Sequence, residues 1–567
     1  MQSVTEIISA AVEKALGSPA LLRPCADPKF GDYQANGIMA VAKQTKQNPR
    51  ALAEQVIAQL NLNAICEPPT VAGAGFINFR LLPAFVAGQI TAAANDPRHG
   101  VPLAGKAKTV VVDYCGVNVA KPMHIGHIRS TIIGDCLARV SRFLGNQVIT
   151  DNHIGDWGTQ FGMLLLGWKN HRDEAALQAD PIAELLRLYK LINDREDLRD
   201  AAKAELVKLQ QGDPENLAIW RKFIELSERE FTKIFDRLGA RFDHTLGESF
   251  YNPLLPGVVA ELRQRGLATE SDGAICVFVA GSKSPLIIQK ADGAFLYGTT
   301  DLATLKYRLE QWHPDEIIYV TDGRQQLHFQ QVFATARQWL QPVPDLRHVW
   351  FGTILGEDGK PLKTRSGDLI KLADLLDEAE ERALAVVTAK NPTLPDETRR
   401  QIARAVGIGA VKYADLSQNR TTDYIFSWDK MLAMNGNTAP YMQYAYVRVQ
   451  SIFRKGVGQA SSLPDSKLDK LEACPTILLE HPAELDLAKH LLRFSETLEA
   501  VLTDDKPNWL TSYLYDLAGK FSAFYDNCPV LQSPEPTRSS RLQLCRLTAD
   551  VMQTGLNLLG IETIEQM

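Results

Sequence analysis

The pattern of apolar and polar positions divides the chain into stretches of different kinds. Near the start, Ile7, Ile8, Ala11, Val12 and Leu16 recur at helical spacing and stop at Gly17, which predicts a first helix. Pro49 to Leu60 predicts a second, with Asn48 placed to cap it. Phe76, Asn78 and Arg80 then alternate with Ile77 and Phe79, as on a strand with two unlike faces. Asn95 to Lys108, punctuated by Pro97, Gly100, Pro102 and Gly105, reads as a linker. Beyond it, Thr109 to Tyr114 is a buried-type strand. Ile128, Ile132, Cys136, Val140 and Phe143 predict a helix from about Met123 to Leu144, with Pro122 in its first turn. Gln147 to Thr150 follows as a second strand, so the unit is strand, helix, parallel strand.

From roughly 170 to 245 the chain turns charged and helical, as an insertion with solvated faces would. Strand-like runs return at Ala274 to Val279, Pro285 to Ile288 and Glu316 to Val320. Between them Thr300 is placed to cap a helix that continues to Leu309. A strand near Trp350 feeds a glycine-punctuated loop and then a helix from Lys371 to Val387. The last third carries no strand signal and reads as helical, interrupted at 456 to 482. The expected fold class is α/β. A small α+β domain spans 1–105, an α/β domain 106–390 with its insertion, and a helical domain 391–567.

At 567 residues one core is too few. A hydrophobic content of 45% and a charged content of 23% suit ordinary globular domains, and a net charge of −6 confines any nucleic-acid contact to local patches. The eight cysteines form no C-x-x-C pair and no ligand-spaced cluster, so neither structural zinc nor a disulfide framework is expected, and a cytoplasmic location suits them. The first residues lack the basic and apolar regions of an export signal, and no run is long enough to span a bilayer.

Candidate chemistry gathers after the predicted strands, where ligands of parallel α/β sheets bind. In Asn118 to Ser130 a helix N-terminus offers free amides and partial positive charge to an anion. His124 and His127 share a face there, Gly126 leaves room for a flat ligand, and Lys121 adds a cation at the rim. Two imidazoles without a third ligand make a poor zinc site, so a nucleotide fits better and no metal site is expected. Asp151 to Gly162, with His153, is a second polar loop. Tyr297 to Thr304 and Thr321 to Phe329, the latter holding Gln325 and His328, are two more. The loop before the Lys371 helix carries Lys360, Lys363 and Arg365, which suits phosphoryl or nucleotidyl transfer. Phe76, Asn78 and Arg80 form either a half-buried edge strand or a platform for an unpaired base. In 440–455, Met442, Tyr446, Val449 and Phe453 supply an apolar face, leaving Tyr441, Tyr444, Arg448 and Lys455 on another that could serve RNA or a helical bundle.

Together these stretches resemble the arginyl-tRNA synthetase family of the class I aminoacyl-tRNA synthetases, over essentially the whole chain. His124-Ile125-Gly126-His127 is similar to the first class motif. Asp151 to Gly162, Tyr297 to Thr304 and Asn437 to Arg448 are similar to blocks of the arginine family. The resemblance implies a Rossmann-type catalytic domain, an N-terminal domain that reads the tRNA elbow, and an anticodon-binding helical region from about 440 to 567. It implies ATP-dependent activation of L-arginine to arginyl-adenylate, with Mg2+, and transfer to the terminal adenosine of tRNA(Arg). It further implies that activation needs bound tRNA and that the enzyme is a cytoplasmic monomer.

For individual residues the resemblance implies catalytic roles for Lys121, His124, His127, Lys360 and Lys363. Asn118, Gly126 and His328 would join the two histidines around ATP. Asp301 offers the carboxylate a guanidinium demands, with Tyr297, Gln325, Asn118 and His153 as further arginine contacts. Phe76, Asn78, Tyr441 and Arg448 would meet the tRNA. Two departures stand out. Where the second class motif usually has Lys-Met-Ser-Lys, this chain has Pro361-Leu362-Lys363-Thr364, and Lys121 matches the upstream lysine thought to substitute. Tyr114-Cys115-Gly116-Val117-Asn118 stands where Tyr-Ser-Ser-Pro-Asn is usual, which loosens the loop before Lys121.

Overall fold

The computed structural model describes residues 2–362, 370–460 and 476–566. Helix α1 (Val4–Leu16) starts at a reciprocal box in which Ser3 Oγ accepts from the Glu6 amide and Glu6 accepts from the Ser3 amide, and it ends at Gly17 with φ +69°. Strands β1 (Leu22–Pro24) and β2 (Tyr33–Ala35), helices α2 (Ile38–Thr45) and α3 (Pro49–Gln59), and strands β3 (Thr70–Ala72) and β4 (Phe76–Phe79) complete the first unit. The Asn48 side chain caps α3, accepting from the Arg50 and Ala51 amides. The sheet order is β1-β2-β4-β3, antiparallel throughout, so β4 is an interior strand rather than the edge strand weighed above. Helix α4 (Pro83–Ala94) leads out of this unit.

The second sheet is parallel and positions the site. It comprises β5 (Thr109–Asp113), β6 (Gln147–Asp151) after helix α5 (Ile125–Phe143), and two later strands. Helices α6 (Gln160–His171), α7 (Glu174–Ala179), α8 (Pro181–Asn193), α9 (Arg199–Gln210) and α10 (Pro214–Leu238) form the insertion, which thus begins about ten residues before the predicted start. Its apolar faces meet one another, α6 against α8 and α9. After α11 (Glu248–Tyr251) and α12 (Leu255–Gln264) comes an antiparallel sheet of β7 (Ala268–Ser271), β8 (Ala274–Val277) and β9 (Leu286–Gln289). Of its strands β7, half polar and exposed, gives no apolar signal in the sequence.

Helix α13 (Tyr297–Trp312) begins four residues earlier than expected. Thr300 lies inside its first turn, and Leu296 is the cap with no side-chain bond. Then come β10 (Glu316–Tyr319), α14 (Gln326–Trp339) and β11 (Asp345–His348). The parallel order is β11-β10-β5-β6, and the register aligns the last residues of all four strands as one rung: His348, Tyr319, Asp113 and Asp151. Every loop that leaves that rung faces the same edge.

Strand β12 (Ile354–Leu355) pairs in parallel with β13 (Tyr424–Ile425), two residues in a region read as wholly helical. Between them run α15 (Leu372–Lys390) and α16 (Asp396–Leu416), packed on each other. Helices α17 (Trp428–Met431), α18 (Ala439–Ala460), α19 (Pro482–Leu492), α20 (Phe494–Asp504), α21 (Asn508–Asn527) and α22 (Thr537–Leu558) form the C-terminal bundle. Helix α18 continues past Gly456 and Gly458, and most of the predicted 456–482 interruption lies outside the described residues. Helices α20 and α22 pack on α5, and α19 and α22 on α4, so the bundle touches both preceding units. Among the described residues no helix is long and apolar enough to cross a membrane.

Candidate functional site

The loop after β5 is held in an unusual backbone. Cys115, Gly116 and Ala120 have φ of +79°, +63° and +62°. The Cys115 amide donates to Ser130 Oγ at 2.8 Å, and the Gly116 amide to Asn152 Oδ1 at 3.1 Å. Asn118 pairs alongside Gly155, where a Cβ would lie 2.4 Å from Asn118 Oδ1, so any side chain at 155 would displace the asparagine. The loops after β5 and β6 are thereby locked together.

Pro122 lies outside helix α5, correcting the expected first-turn position, because the helix starts at Ile125 with His124 as its cap. His124 Nδ1 accepts from the Gly126 amide at 3.1 Å, and His127 Nδ1 accepts from the His124 amide at 3.1 Å. The rings sit with centroids 3.9 Å apart. Each Nδ1 being an acceptor, the proton of each neutral ring is on Nε2. Burial lowers the His127 pKa to about 3, helped by the neighbouring His124. Burial also lowers that of His124, with Lys121 and Arg324 adding to it. At neutral pH the pair therefore presents two uncharged Nε2–H donors at a helix N-terminus. A Cβ on Gly126 would come within 2.8 Å of the His124 ring, so glycine keeps that cap intact.

Helix α5 is anchored behind this cap. Buried Arg129 forms an ion pair with Asp415 of α16 at 3.0 Å and donates to the Gly352 carbonyl at 2.8 Å. The Ile125 amide donates to the Ile370 carbonyl and the Leu372 amide to that of Met123, which ties the start of α15 to the histidine loop.

A second cluster is acidic. Tyr297 and Asp301, one turn apart on α13, lie at its start; Tyr297 is 70% exposed. Asp301 is hydrogen-bonded to His328 of α14. Burial pushes the His328 imidazole down, but this bond and the carboxylate charge carry its pKa above the ordinary value. Expected beside ATP, His328 is hydrogen-bonded to the carboxylate expected to hold arginine. Glu248, absent from the sequence-based candidates, belongs here too. Burial, with the Asp156 and Asp301 carboxylates, raises its pKa to about 8. Asp156 is fixed by Ser249, whose amide and hydroxyl donate at 2.8 and 2.5 Å. The only local hint was a Gly-Glu-Ser triplet opening a single helical turn. Gln325 is exposed at the start of α14. His153 lies 5.5 Å from Tyr251, ring to ring, and its Nδ1 has no partner.

Below both clusters lies the rung of strand ends. Arg308 of α13, fully buried, donates to Asp113 at 2.6 Å and Asp151 at 2.8 Å. Burial raises the Asp113 pKa against the pull of Arg308.

The remaining candidates are dispersed. Lys360 lies on an exposed turn closed by Gly356 and Leu355–Pro361, while Lys363 and Arg365 lie outside the described residues. Asn78 is only 2% exposed and accepts from Gln34 at 2.8 Å, so the pairing of β4 between β2 and β3 buries the amide expected to meet a base; Phe76 beside it is half-buried. Arg448 lies 5.2 Å over Tyr525 and 3.5 Å from Asp526, and Tyr441 faces Tyr515 across α18 and α21. A cavity of about 780 Å³ opens between Lys121, α8, α10 and the start of α15, with neither histidine in its wall.

Residues 89–428 match the family model for tRNA synthetases class I (R), catalytic domain. Residues 442–567 match the DALR anticodon binding domain, and 2–81 the arginyl tRNA synthetase N terminal domain. The chain is 46% identical to the arginine–tRNA ligase of Chromobacterium violaceum over the full length of both. The arginyl-tRNA synthetase structure from Plasmodium falciparum superposes with a TM-score of 0.86 at 32% identity, covering 100% of both chains. The Thermus thermophilus arginyl-tRNA synthetase gives 0.84 at 25% identity, also with full coverage.

Proposed function

We infer the roles of the site residues from one premise: the chain belongs to the arginyl-tRNA synthetases of class I. It is an arginine–tRNA ligase, which uses ATP to join arginine to its tRNA. In our assignment the arginine carboxylate attacks the α-phosphorus of ATP, pyrophosphate leaves, and a hydroxyl of the terminal adenosine of tRNA(Arg) then takes the arginyl group and releases AMP. His124 and His127 donate their Nε2–H groups to phosphate oxygens as negative charge builds, and the α5 amides add to this. Gly126 leaves room for the nucleotide base. Lys121 supplies the full charge that the neutral imidazoles lack, with Lys360 and Lys363 as further cations for the phosphates.

Asp301 and Glu248 take the guanidinium, His328 holding the Asp301 carboxylate in place, with Tyr297 and Gln325 at the mouth. Asn118 and His153 orient the amino-acid end. Magnesium suits the nucleotide's own phosphates and water; imidazoles whose Nδ1 atoms bind backbone amides are poor ligands for so hard an ion. We place the tRNA-elbow domain at 1–105 and the catalytic domain at 106–390. Anticodon contacts are assigned from about 440 onward, Tyr441 and Arg448 among them. Half-buried Phe76 is the more accessible part of the elbow contact, with Asn78 behind it. The enzyme is proposed to act as a cytoplasmic monomer.

One observation carries this assignment: two neutral Nε2–H donors and an acidic pocket meet at one edge of a parallel sheet. Arginine-dependent ATP–pyrophosphate exchange is the test, run with each amino acid and with or without tRNA. Exchange is expected with arginine alone and only when tRNA is present. Lys121→Ala should lower turnover by about 10²-fold or more, with the arginine KM little changed. Exchange supported by another amino acid would refute the pocket assignment.

A further inference from the structure

Lys121 lies near enough to His124 to help lower its pKa, yet its ammonium rests against the insertion. Its Nζ lies 5.4 Å from the ring centroid of Tyr189 on α8, within the range of a cation–π contact. It lines the 780 Å³ cavity beside the insertion, whereas His124 and His127 do not. Among the described residues it has no ion pair, and the tyrosine face is the contact that holds its ammonium. Its backbone is held from the same side. Ala120, with φ +62°, donates its amide to Ser227 Oγ at 2.9 Å, and that hydroxyl donates to the Phe223 carbonyl at 2.7 Å, both on α10. Ser227 is fully buried. Two helices of the insertion therefore fix the loop and its side chain, one through an amide and one through a ring.

We propose that Tyr189 is a positioning residue that parks the Lys121 ammonium on the insertion, away from the nucleotide phosphates, until movement of α8 releases it. This rests on the assignment of Lys121 to the phosphates. It gives the insertion a physical means of governing activation: whatever shifts α8 and α10 relative to α5 changes where the loop's one cation sits. An RNA bound across the insertion is the natural cause, since the second substrate must bring its acceptor end to the same edge of the sheet. Tyr189 touches no substrate and acts only through Lys121.

The test is the ratio of arginine-dependent ATP–pyrophosphate exchange at a low, subsaturating tRNA concentration to that at saturating tRNA, measured on the full chain. Tyr189→Leu should raise the ratio by about two- to fivefold, the size of a lost surface cation–π contact. The change should appear in kcat, with the arginine KM within about twofold. Tyr189→Phe keeps the ring face and should match the parent, which separates the ring's charge interaction from packing. In a Lys121→Ala background the Tyr189→Leu effect should vanish. A ratio that is unchanged or lower in Tyr189→Leu, or a rise that persists without Lys121, overturns the proposal while leaving Lys121 in its role. Full activity of Lys121→Ala alone overturns the role and the proposal with it.

Discussion

Glu248 is a carboxyl group kept protonated by its surroundings until a cation arrives. Burial and the nearby Asp156 and Asp301 raise its pKa to about 8. A guanidinium entering between Glu248 and Asp301 favours the ionised form, so arginine binding must expel the proton at neutral pH. Arginine affinity should therefore weaken as pH falls below 8, by up to about tenfold per unit. Protonation of His328 beside Asp301 acts in the same direction, since an imidazolium occupies the carboxylate that the guanidinium needs. Calorimetry in buffers of different ionisation enthalpy should show proton release on binding near pH 7. Glu248→Gln should bind arginine roughly 10- to 100-fold more weakly, as for one lost charge-assisted bond of about 1.5–3 kcal/mol, and should show a flatter pH dependence. Pronounced proton release that survives in the Gln variant would assign the proton to another group.

At the level of elements, helix α13 joins the two halves of the site. Asp301 near its start serves the arginine pocket, and Arg308, two turns on, holds Asp113 and Asp151 at the ends of β5 and β6. The loops that carry the histidines and Asn118 leave from those same strand ends. Arg308→Met would strand two buried carboxylates, a change that typically costs about 3–5 kcal/mol. Urea denaturation should show a loss of that size, and a loss under about 1 kcal/mol would mean that the aspartates find other partners. This link also marks where the sequence stopped being legible. The periodicity of Ile128, Ile132 and Cys136 and the run Thr109 to Val112 located α5 and β5, because local spacing alone determines such elements. The histidine cap was visible only as two residues three apart, since whether a ring accepts from an amide depends on the turn before Ile125. Glu248 joins the pocket across more than 50 residues from Asp301 through a contact no local pattern encodes. Asn78 looked exposed because alternation assigns a face but not a strand order, and the order places β4 in the middle of its sheet. The polar strand β7 gave no apolar run to find.

Across the whole molecule, the first unit and the C-terminal bundle meet each other as well as the catalytic sheet. Asp32 pairs with Lys489 at 2.8 Å, and Tyr33 donates to Glu496 at 2.6 Å. Burial raises the Glu496 pKa to about 7, against the pull of Tyr33, Arg493 and Thr5, and Glu499 adds to the rise. A folded pKa above the unfolded value near 4.5 means that the folded state holds the proton more tightly. The associated stabilisation is complete at low pH and is lost as pH rises through about 7. Above that value an ionised Glu496 sits buried at the junction, and Arg493 with the Tyr33 and Thr5 hydroxyls offsets its desolvation only in part. Glu496→Gln keeps an acceptor for Tyr33 and removes the charge. It should stabilise the protein by about 1–2 kcal/mol at pH 8, the raised pKa discounted for partial solvent access, and by almost nothing at pH 4, below the unfolded pKa. Because the junction binds the two units that flank the catalytic domain, the gain should also appear as slower proteolysis between 95 and 108, the stretch that follows α4. A stabilisation equal at both pH values would show that the effect is packing, and that the two ends of the molecule are not held by a titrating contact.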